Sequence, residues 1–291
     1  MKYPSWIVEE VKKNKKDLRQ NQAESVAADL NLKKLHTVCD EALCPNKGNC
    51  FKNGEATFLI LGDICTRNCG FCSVKKGKAE PPDSSEPKRI ADLAVKWRLK
   101  YVVFTSPTRD DLPDYGAAHY ANVIKEIRKA DKNILTEPLI PDFKGEIEHL
   151  EKVLEAGPSV LAHNIEMPER LYREYRKGSD YVRSLKILEN SKKLFPFIPV
   201  KSSLILGLGE KESEIKKTVK DLFSHGCEIL CIGQYLAPSE KHKKIEKFYS
   251  PMEFKEYEDY ALTVGFKAVL SAPLVRSSYK AKELYLKFIG A

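Results

Sequence analysis

Ala56-Thr57-Phe58-Leu59-Ile60-Leu61-Gly62-Asp63-Ile64-Cys65-Thr66-Arg67-Asn68-Cys69-Gly70-Phe71-Cys72 sets an apolar run directly against three closely spaced cysteines. The run at 56–63 reads as a buried strand, and the polar loop that follows puts the cysteines just beyond its end. Five more runs of this kind lie at 101–106, 133–140, 159–166, 200–207 and 228–235. Between them, 90–99, 118–128, 147–154, 182–194 and 214–223 carry apolar residues three and four apart, the spacing of helices with one buried face. Repeated strand–helix order requires right-handed crossovers and a parallel sheet. Six units rather than eight predict an α/β fold closing into an open partial barrel over 56–265. Residues 1–55 lack the alternation and read as an extension packed on the barrel, and 266–291 as a tail with a short strand at 268–272. In parallel architectures, ligands gather at the C-terminal strand ends, so Cys65, Cys69 and Cys72 lie at the functional rim.

Their spacing, C-x3-C-x2-C, lets three thiolates on one tight loop hold three irons of a [4Fe–4S] cluster while the fourth iron stays open to a substrate or cofactor. A zinc knot is the alternative for clustered thiols, but zinc sites pair C-x2–4-C hooks with a fourth Cys or His nearby. Here the nearest histidine is His36, and no second hook follows Cys72. A second triad, Cys39, Cys44 and Cys50, has the spacing C-x4-C-x5-C; beside the first it suggests a second cluster with soft thiolate ligands. Cys227 and Cys231 stand apart and read as buried apolar residues.

At 291 residues and 42% hydrophobic content the chain can bury a sizeable core. Its apolar stretches fall far short of the roughly 18 residues of a membrane span, and Lys12, Lys13, Lys15 and Lys16 interrupt anything resembling a secretory signal. A cytoplasmic protein is expected, with no membrane partner, and reducing conditions argue against structural disulfides among the eight cysteines. The net charge of +8 favours an acidic partner, although a solvated basic surface accounts for it as well.

Cys65-Thr66-Arg67-Asn68-Cys69-Gly70-Phe71-Cys72, with an aromatic residue before the last cysteine, resembles the signature of the radical S-adenosylmethionine (SAM) superfamily. Within it the chain resembles the lipoyl synthases. That likeness rests on the C-x4-C-x5-C triad ahead of the first, on Arg276-Ser277-Ser278-Tyr279, and on Leu139-Ile140-Pro141-Asp142-Phe143, His163-Asn164-Ile165-Glu166, Gly207-Leu208-Gly209-Glu210 and Ile232-Gly233-Gln234-Tyr235-Leu236. It covers about 37 to 281.

The resemblance implies a partial (βα)6 radical SAM barrel with N-terminal and C-terminal extensions. It also implies two [4Fe–4S] clusters and SAM as cofactors. Cys65, Cys69 and Cys72 would bind the cluster that cleaves SAM to methionine and a 5′-deoxyadenosyl radical. Cys39, Cys44 and Cys50 would bind an auxiliary cluster completed by Ser278, preferred over Ser277, and consumed as the source of sulfur. The reaction would insert two sulfur atoms at C6 and C8 of a protein-bound octanoyl-lysine. Unactivated C–H bonds lie beyond the reach of any side-chain base, so radical chemistry carried by a cofactor is required. The implied partners are an octanoylated lipoyl carrier domain or protein, typically acidic, and an electron donor such as ferredoxin or flavodoxin, with no nucleic acid.

Arg276 and Ser278 are the candidate catalytic residues. For several positions two readings stand side by side. Gly207 and Gly209 could approach SAM or simply form a tight turn. Asn164, with His163, could face the cavity, or the histidine could be a bonded core residue. Arg67 and Arg276 could hold charges of SAM or substrate, or pair with acids. The two serines could instead cap a helix starting near Lys280. The chain departs from the family pattern at Pro107-Thr108, within Thr105 to Asp111, and at Thr136-Glu137-Pro138. A methylthiotransferase of the same superfamily, which normally carries an RNA-binding module, and a zinc-dependent nucleic-acid-binding protein are the rivals.

Overall fold

The six apolar runs and the expected tail strand appear as β2 (Thr57–Leu59), β5 (Tyr101–Thr105), β6 (Leu135–Leu139), β7 (Leu161–Ala162), β8 (Val200–Leu206), β9 (Ile229–Gln234) and β10 (Ala268–Ser271), joined by three short strands that no run announced, β1 (His36–Thr37), β3 (Ile64–Cys65) and β4 (Lys75–Lys76). Twelve helices accompany them in this computed structural model, which describes residues 3–17, 21–53 and 55–291. Of the extension at 1–55, residues 1, 2, 18–20 and 54 lie outside the described residues. The extension holds α1 (Ser5–Asp17), α2 (Asn21–Leu32), α3 (Val38–Glu41) and α4 (Lys47–Lys52). The barrel helices are α5 (Glu86–Lys96), α6 (Ala117–Ala130), α7 (Ile147–Glu155), α8 (Glu169–Tyr175), α9 (Tyr181–Leu194), α10 (Glu212–Ser224) and α11 (Pro251–Val264), and α12 (Ala281–Ile289) ends the chain.

The main sheet runs β1-β2-β5-β6-β7-β8-β9-β10, parallel throughout except for β1, which pairs antiparallel with β2. The small β3–β4 ribbon stands outside it and carries Cys65. The six-unit α/β barrel is as expected, with two differences. The strand expected at 268–272 is not a detached tail element: β10 pairs in parallel with β9 from Ala268↔Ile229 to Ser271↔Ile232, so the barrel sheet extends past 265. The run at 159–166 yields only a two-residue strand: the Ile165 N–H donates to Ser202 Oγ at 3.1 Å instead of to the ladder, and contact with β8 resumes at Glu166, with a left-handed φ of 65°, through a single bridge to Leu204.

Two features bear on the site. α12 packs against both β10 and β5, which are separated by four strands in the sheet, and the Tyr285 and Tyr101 rings meet at 5.8 Å. Inside the barrel, Lys201 of β8 lies 2.7 Å from Glu137 of β6, each side chain 1% exposed, and the Tyr101 hydroxyl donates to the other Glu137 oxygen at 2.5 Å. Charges so buried persist only when paired and hydrogen-bonded.

Candidate functional site

The loop after Cys65 is pinned to the C-terminal ends of its neighbours. Thr66 donates from its backbone N–H and its Oγ1 to the Thr108 carbonyl at 3.0 and 2.9 Å, and Gly70 N–H donates to the Tyr175 carbonyl at 2.8 Å. Cys65, Cys69 and Cys72 are all half-buried there, and the Cys65 sulfur accepts from the Arg67 N–H at 3.4 Å. Burial pushes the Cys69 thiol up to about 11 despite the opposing Arg176 charge, and raises Cys72 as well. Thiols at a pinned loop, with a backbone donor on sulfur, suit a cluster that takes them as thiolates.

Arg67 resolves to pairing with acids. It binds Asp110 at 2.8 and 2.9 Å, Asp142 at 3.0 and 2.7 Å and Ser179 Oγ at 3.1 Å, so all three of its nitrogens are engaged by the protein. That arrangement favours the acid-pairing reading: two carboxylates at the strand ends hold its charge. Burial alone would raise the Asp142 carboxyl, but Arg67 outweighs it and holds the group well below the usual range.

The second triad opens on a cavity of about 210 Å³, whose lining includes Cys39, Cys44, Cys50, Tyr101, Arg276 and Ser278. Local structure builds it: Thr37 Oγ1 caps α3 by accepting from Asp40 N–H at 3.2 Å, and Cys50 N–H donates to the Asn46 carbonyl at 3.0 Å. Asn46 Nδ2 then donates to the Leu274 carbonyl at 2.6 Å, tying the triad loop to the C-terminal segment 228 positions away. Ser277 is turned elsewhere, donating from Oγ to Asn164 Oδ1 at 2.9 Å. Neither serine caps α12, whose N-cap is Lys280 in a left-handed conformation with no side-chain cap bond.

Burial pushes the Cys39 thiol up to about 12, with Cys44 adding to it, and raises Cys50 further, with Cys39 and Cys44 as secondary causes. A buried and two half-buried thiols facing one cavity, with Cys39 and Cys50 both held protonated in the absence of a guest, fit a multiply cationic one. Zinc fits less well. Among the described residues, the trios with all ligand atoms within 4.8 Å of one another are His36, Glu41, Asp63 and Glu146, Glu148, His149. Neither cysteine triad is so tight, whereas tetrahedral zinc with Zn–S of about 2.3 Å would hold its sulfurs within roughly 4 Å.

Charges from both sides meet at Glu166. Its carboxyl is raised by burial, with Arg176 and Arg276 opposing, and it accepts from Asn164 Nδ2 at 3.0 Å. Arg176 anchors Nη1 on the Asn164 carbonyl at 2.9 Å and the Tyr172 hydroxyl at 2.6 Å. Arg276 bonds only the Val275 carbonyl, at 2.7 Å, and no carboxylate lies within ion-pair distance of it among the described residues. The Arg176 charge acts on Cys69, and Cys44 acts on Arg276, so the two guanidiniums lie beside different triads.

Gly207 and Gly209 have φ of 115° and 94°. A Cβ at Gly207 would stand 2.2 Å from Gln234 Nε2, and the N–H groups of Gly207 and Leu208 donate to the Glu210 carboxylate at 2.6 and 2.9 Å. The tight-turn reading accounts for both glycines. His163 is a core histidine, its ring bonded to the Ile140 carbonyl at 2.9 Å and pushed down to about 4 by burial. Cys227 and Cys231 are buried as expected, Cys231 beneath the Ser277 carbonyl. Sequence reasoning missed Arg176, Tyr101 and the Glu137–Lys201 pair. The signal for the pair was a lone charge inside each of two buried strands.

Residues 59–222 match the Radical SAM superfamily model. The chain is 49% identical over 282 residues to the lipoyl synthase of Caldicellulosiruptor saccharolyticus, covering 97% of each chain. It is 46% identical to that of Pasteurella multocida, covering 97% of this chain and 87% of the relative. Among solved structures, HydG, a maturase of the [FeFe]-hydrogenase, aligns with a TM-score of 0.57 at 14% identity over 92% of this chain and 63% of its own. Streptococcus suis SuiB bound to S-adenosylmethionine aligns with 0.55 at 13% identity over 74% and 50%. These distant likenesses concern the fold.

Proposed function

The chain belongs to the lipoyl synthase family of radical SAM enzymes, and from that premise we propose that its interior holds two separate [4Fe–4S] clusters with the substrate carbons between them. Family membership makes it a sulfur-inserting enzyme that uses a [4Fe–4S] cluster and SAM, acts on a lipoyl carrier and needs a reductant. In our reading Cys65, Cys69 and Cys72 hold the SAM-binding cluster, and Cys39, Cys44, Cys50 and Ser278 hold the second. When bound, the first supplies the electron that cleaves SAM, and the second supplies sulfide for C6 and C8 of an octanoyl-lysine on the carrier.

The protein's own task is placement and exclusion of water. Arg176 and Glu166 carry opposite charges beside the rim triad and suit the carboxylate and the polar hydroxyl or amino groups of SAM. Asn164 holds both Glu166 and Ser277, so it ties the SAM side to the C-terminal motif. Arg276 suits the negative charge of the thiolate-bound second cluster. Arg67, Gly207 and Gly209 shape the loops. Ferredoxin or flavodoxin fits the reductant's role. No helix among the described residues is long and apolar enough to cross a membrane.

The observation that carries this reading is the meeting of Ser278 with Cys39, Cys44 and Cys50 around one cavity, more than 220 positions apart in the chain. Protein purified without oxygen should be brown, hold about eight irons per chain by metal analysis and Mössbauer spectroscopy, and convert an octanoylated carrier. Stoichiometric zinc in a colourless protein would overturn it.

A further inference from the structure

At the C-terminal rim, a groove of about 310 Å³ runs between the first turns of α7 and α9, bounded by Lys144, Ile147, Val182, Arg183 and Lys186. Its construction is unusual. Phe143, Lys144 and Gly145 take left-handed φ of 41°, 53° and 87° in succession, which buries the Phe143 ring and leaves Lys144 exposed. A Cβ at Gly145 would come within 3.3 Å of the Arg183 stem, so glycine lets that side chain lie along the groove. Lys186 is exposed on the next turn, and Ile147 and Val182 are 48% and 50% exposed. Asp180, which caps α9 by accepting from the Arg183 N–H at 2.7 Å, also lines the groove, and Glu146 stands at the N-cap of α7, so both helix N-termini carry their own acid and the cationic side chains supply the groove's positive charge.

The charges there are unevenly held. Lys144 reaches Asp110 at 3.1 Å and Arg183 reaches Asp142 at 2.8 Å, but those acids are already bound by Arg67, and no ion pair to Lys186 is present among the described residues. Exposed apolar side chains flanked by Lys144 and Lys186 fit a surface that offers carboxylates around an apolar contact. The groove also adjoins the chemistry: Arg183 binds Asp142, Asp142 binds Arg67, and Arg67 lies inside the rim triad loop.

We propose that this groove is where the acidic lipoyl carrier docks, presenting its acylated lysine to the barrel rim; the inference deepens the carrier reading above and rests on it. The carrier's carboxylates would meet Lys144 and Lys186, and Ile147 and Val182 would supply the apolar centre.

The test measures binding of an octanoylated carrier to the cluster-loaded full chain by calorimetry, for Lys186→Glu, Val182→Ser and a control, Lys129→Glu, at the opposite end of α6. Lys129 is 78% exposed and gives the same change in net charge. Lys186→Glu should weaken carrier binding at least about tenfold, Val182→Ser should weaken it too, and Lys129→Glu should leave it within about twofold. With a short octanoyl-lysine peptide without acidic residues as the hydrogen donor, all three should make deoxyadenosine from SAM normally, which certifies folding and chemistry. Equal weakening by Lys186→Glu and Lys129→Glu, or none by either, with carrier conversion intact in the wild type, would overturn the groove and leave the carrier reading standing. A wild-type chain that neither binds nor converts the carrier would overturn both.

Discussion

Replacing Lys201 by Met tests whether the barrel interior is built as described. The substitution keeps much of the side chain's length and removes its charge, leaving Glu137 with only the Tyr101 hydroxyl as donor in a site where both partners are 1% exposed. Removing one partner of a buried pair costs about 3–5 kcal/mol. With about 2.1 cal/mol/K of unfolding entropy per residue over 291 residues, the melting temperature should fall by about 5–8 °C. Adding Glu137→Leu removes the stranded charge and should recover a substantial part of the loss. Because Tyr101 lines the second cavity, Lys201→Met should also reduce sulfur insertion more than SAM cleavage. Thermal unfolding followed by fluorescence gives the first result, and deoxyadenosine against lipoyl product gives the second. A single variant melting within about 1 °C of wild type, or a double variant less stable than Lys201→Met, would refute the reasoning.

Other expectations follow from particular contacts. Ser278→Ala should release iron from the second cluster on exposure to oxygen, whereas Ser277→Ala, which loses only the bond to Asn164, should keep it; iron content before and after air separates them. Ser278→Cys should hold that cluster at least as well, yet make less product per deoxyadenosine, as assayed by mass spectrometry. Gly207→Ala should lower stability by about 3 kcal/mol or more, since the left-handed φ and the Gln234 contact both oppose a methyl group, and denaturant titration would show it. Asp142 has a depressed folded pKa, so its stabilising contribution is present above the ordinary carboxylate pKa and is lost as pH falls below about 4; Asp142→Asn should flatten the acid limb of a stability profile measured on cluster-free protein.

Much of this was legible in the sequence because local rules dominate a parallel barrel. Tyr101 to Thr105 and Val200 to Leu206 are buried runs flanked by one-faced helices, and their strands appear within a residue or two of the expected ends. The strand at 159–166 was cut short because periodicity cannot report the Ser202 hydroxyl that takes the Ile165 N–H or the left-handed φ at Glu166. Both cysteine triads were legible because each lies on one short stretch of sequence, whereas Ser278 meets the second only through the fold. The fate of Arg67 was not readable: Asp110 and Asp142 lie 43 and 75 positions away, and only the fold decides that a rim arginine is neutralised by them. Arg176 was invisible for the converse reason, being one of many arginines until the turn after α8 brings its charge to bear on Cys69.

The central claim, two clusters with separate roles, is tested most directly by changing Cys39, Cys44 and Cys50 together to Ala and measuring iron and deoxyadenosine in the same oxygen-free preparation. The account predicts about four irons per chain, continued SAM cleavage in the presence of reductant, and no lipoyl product. A folded variant that keeps about four irons but no longer cleaves SAM would contradict it.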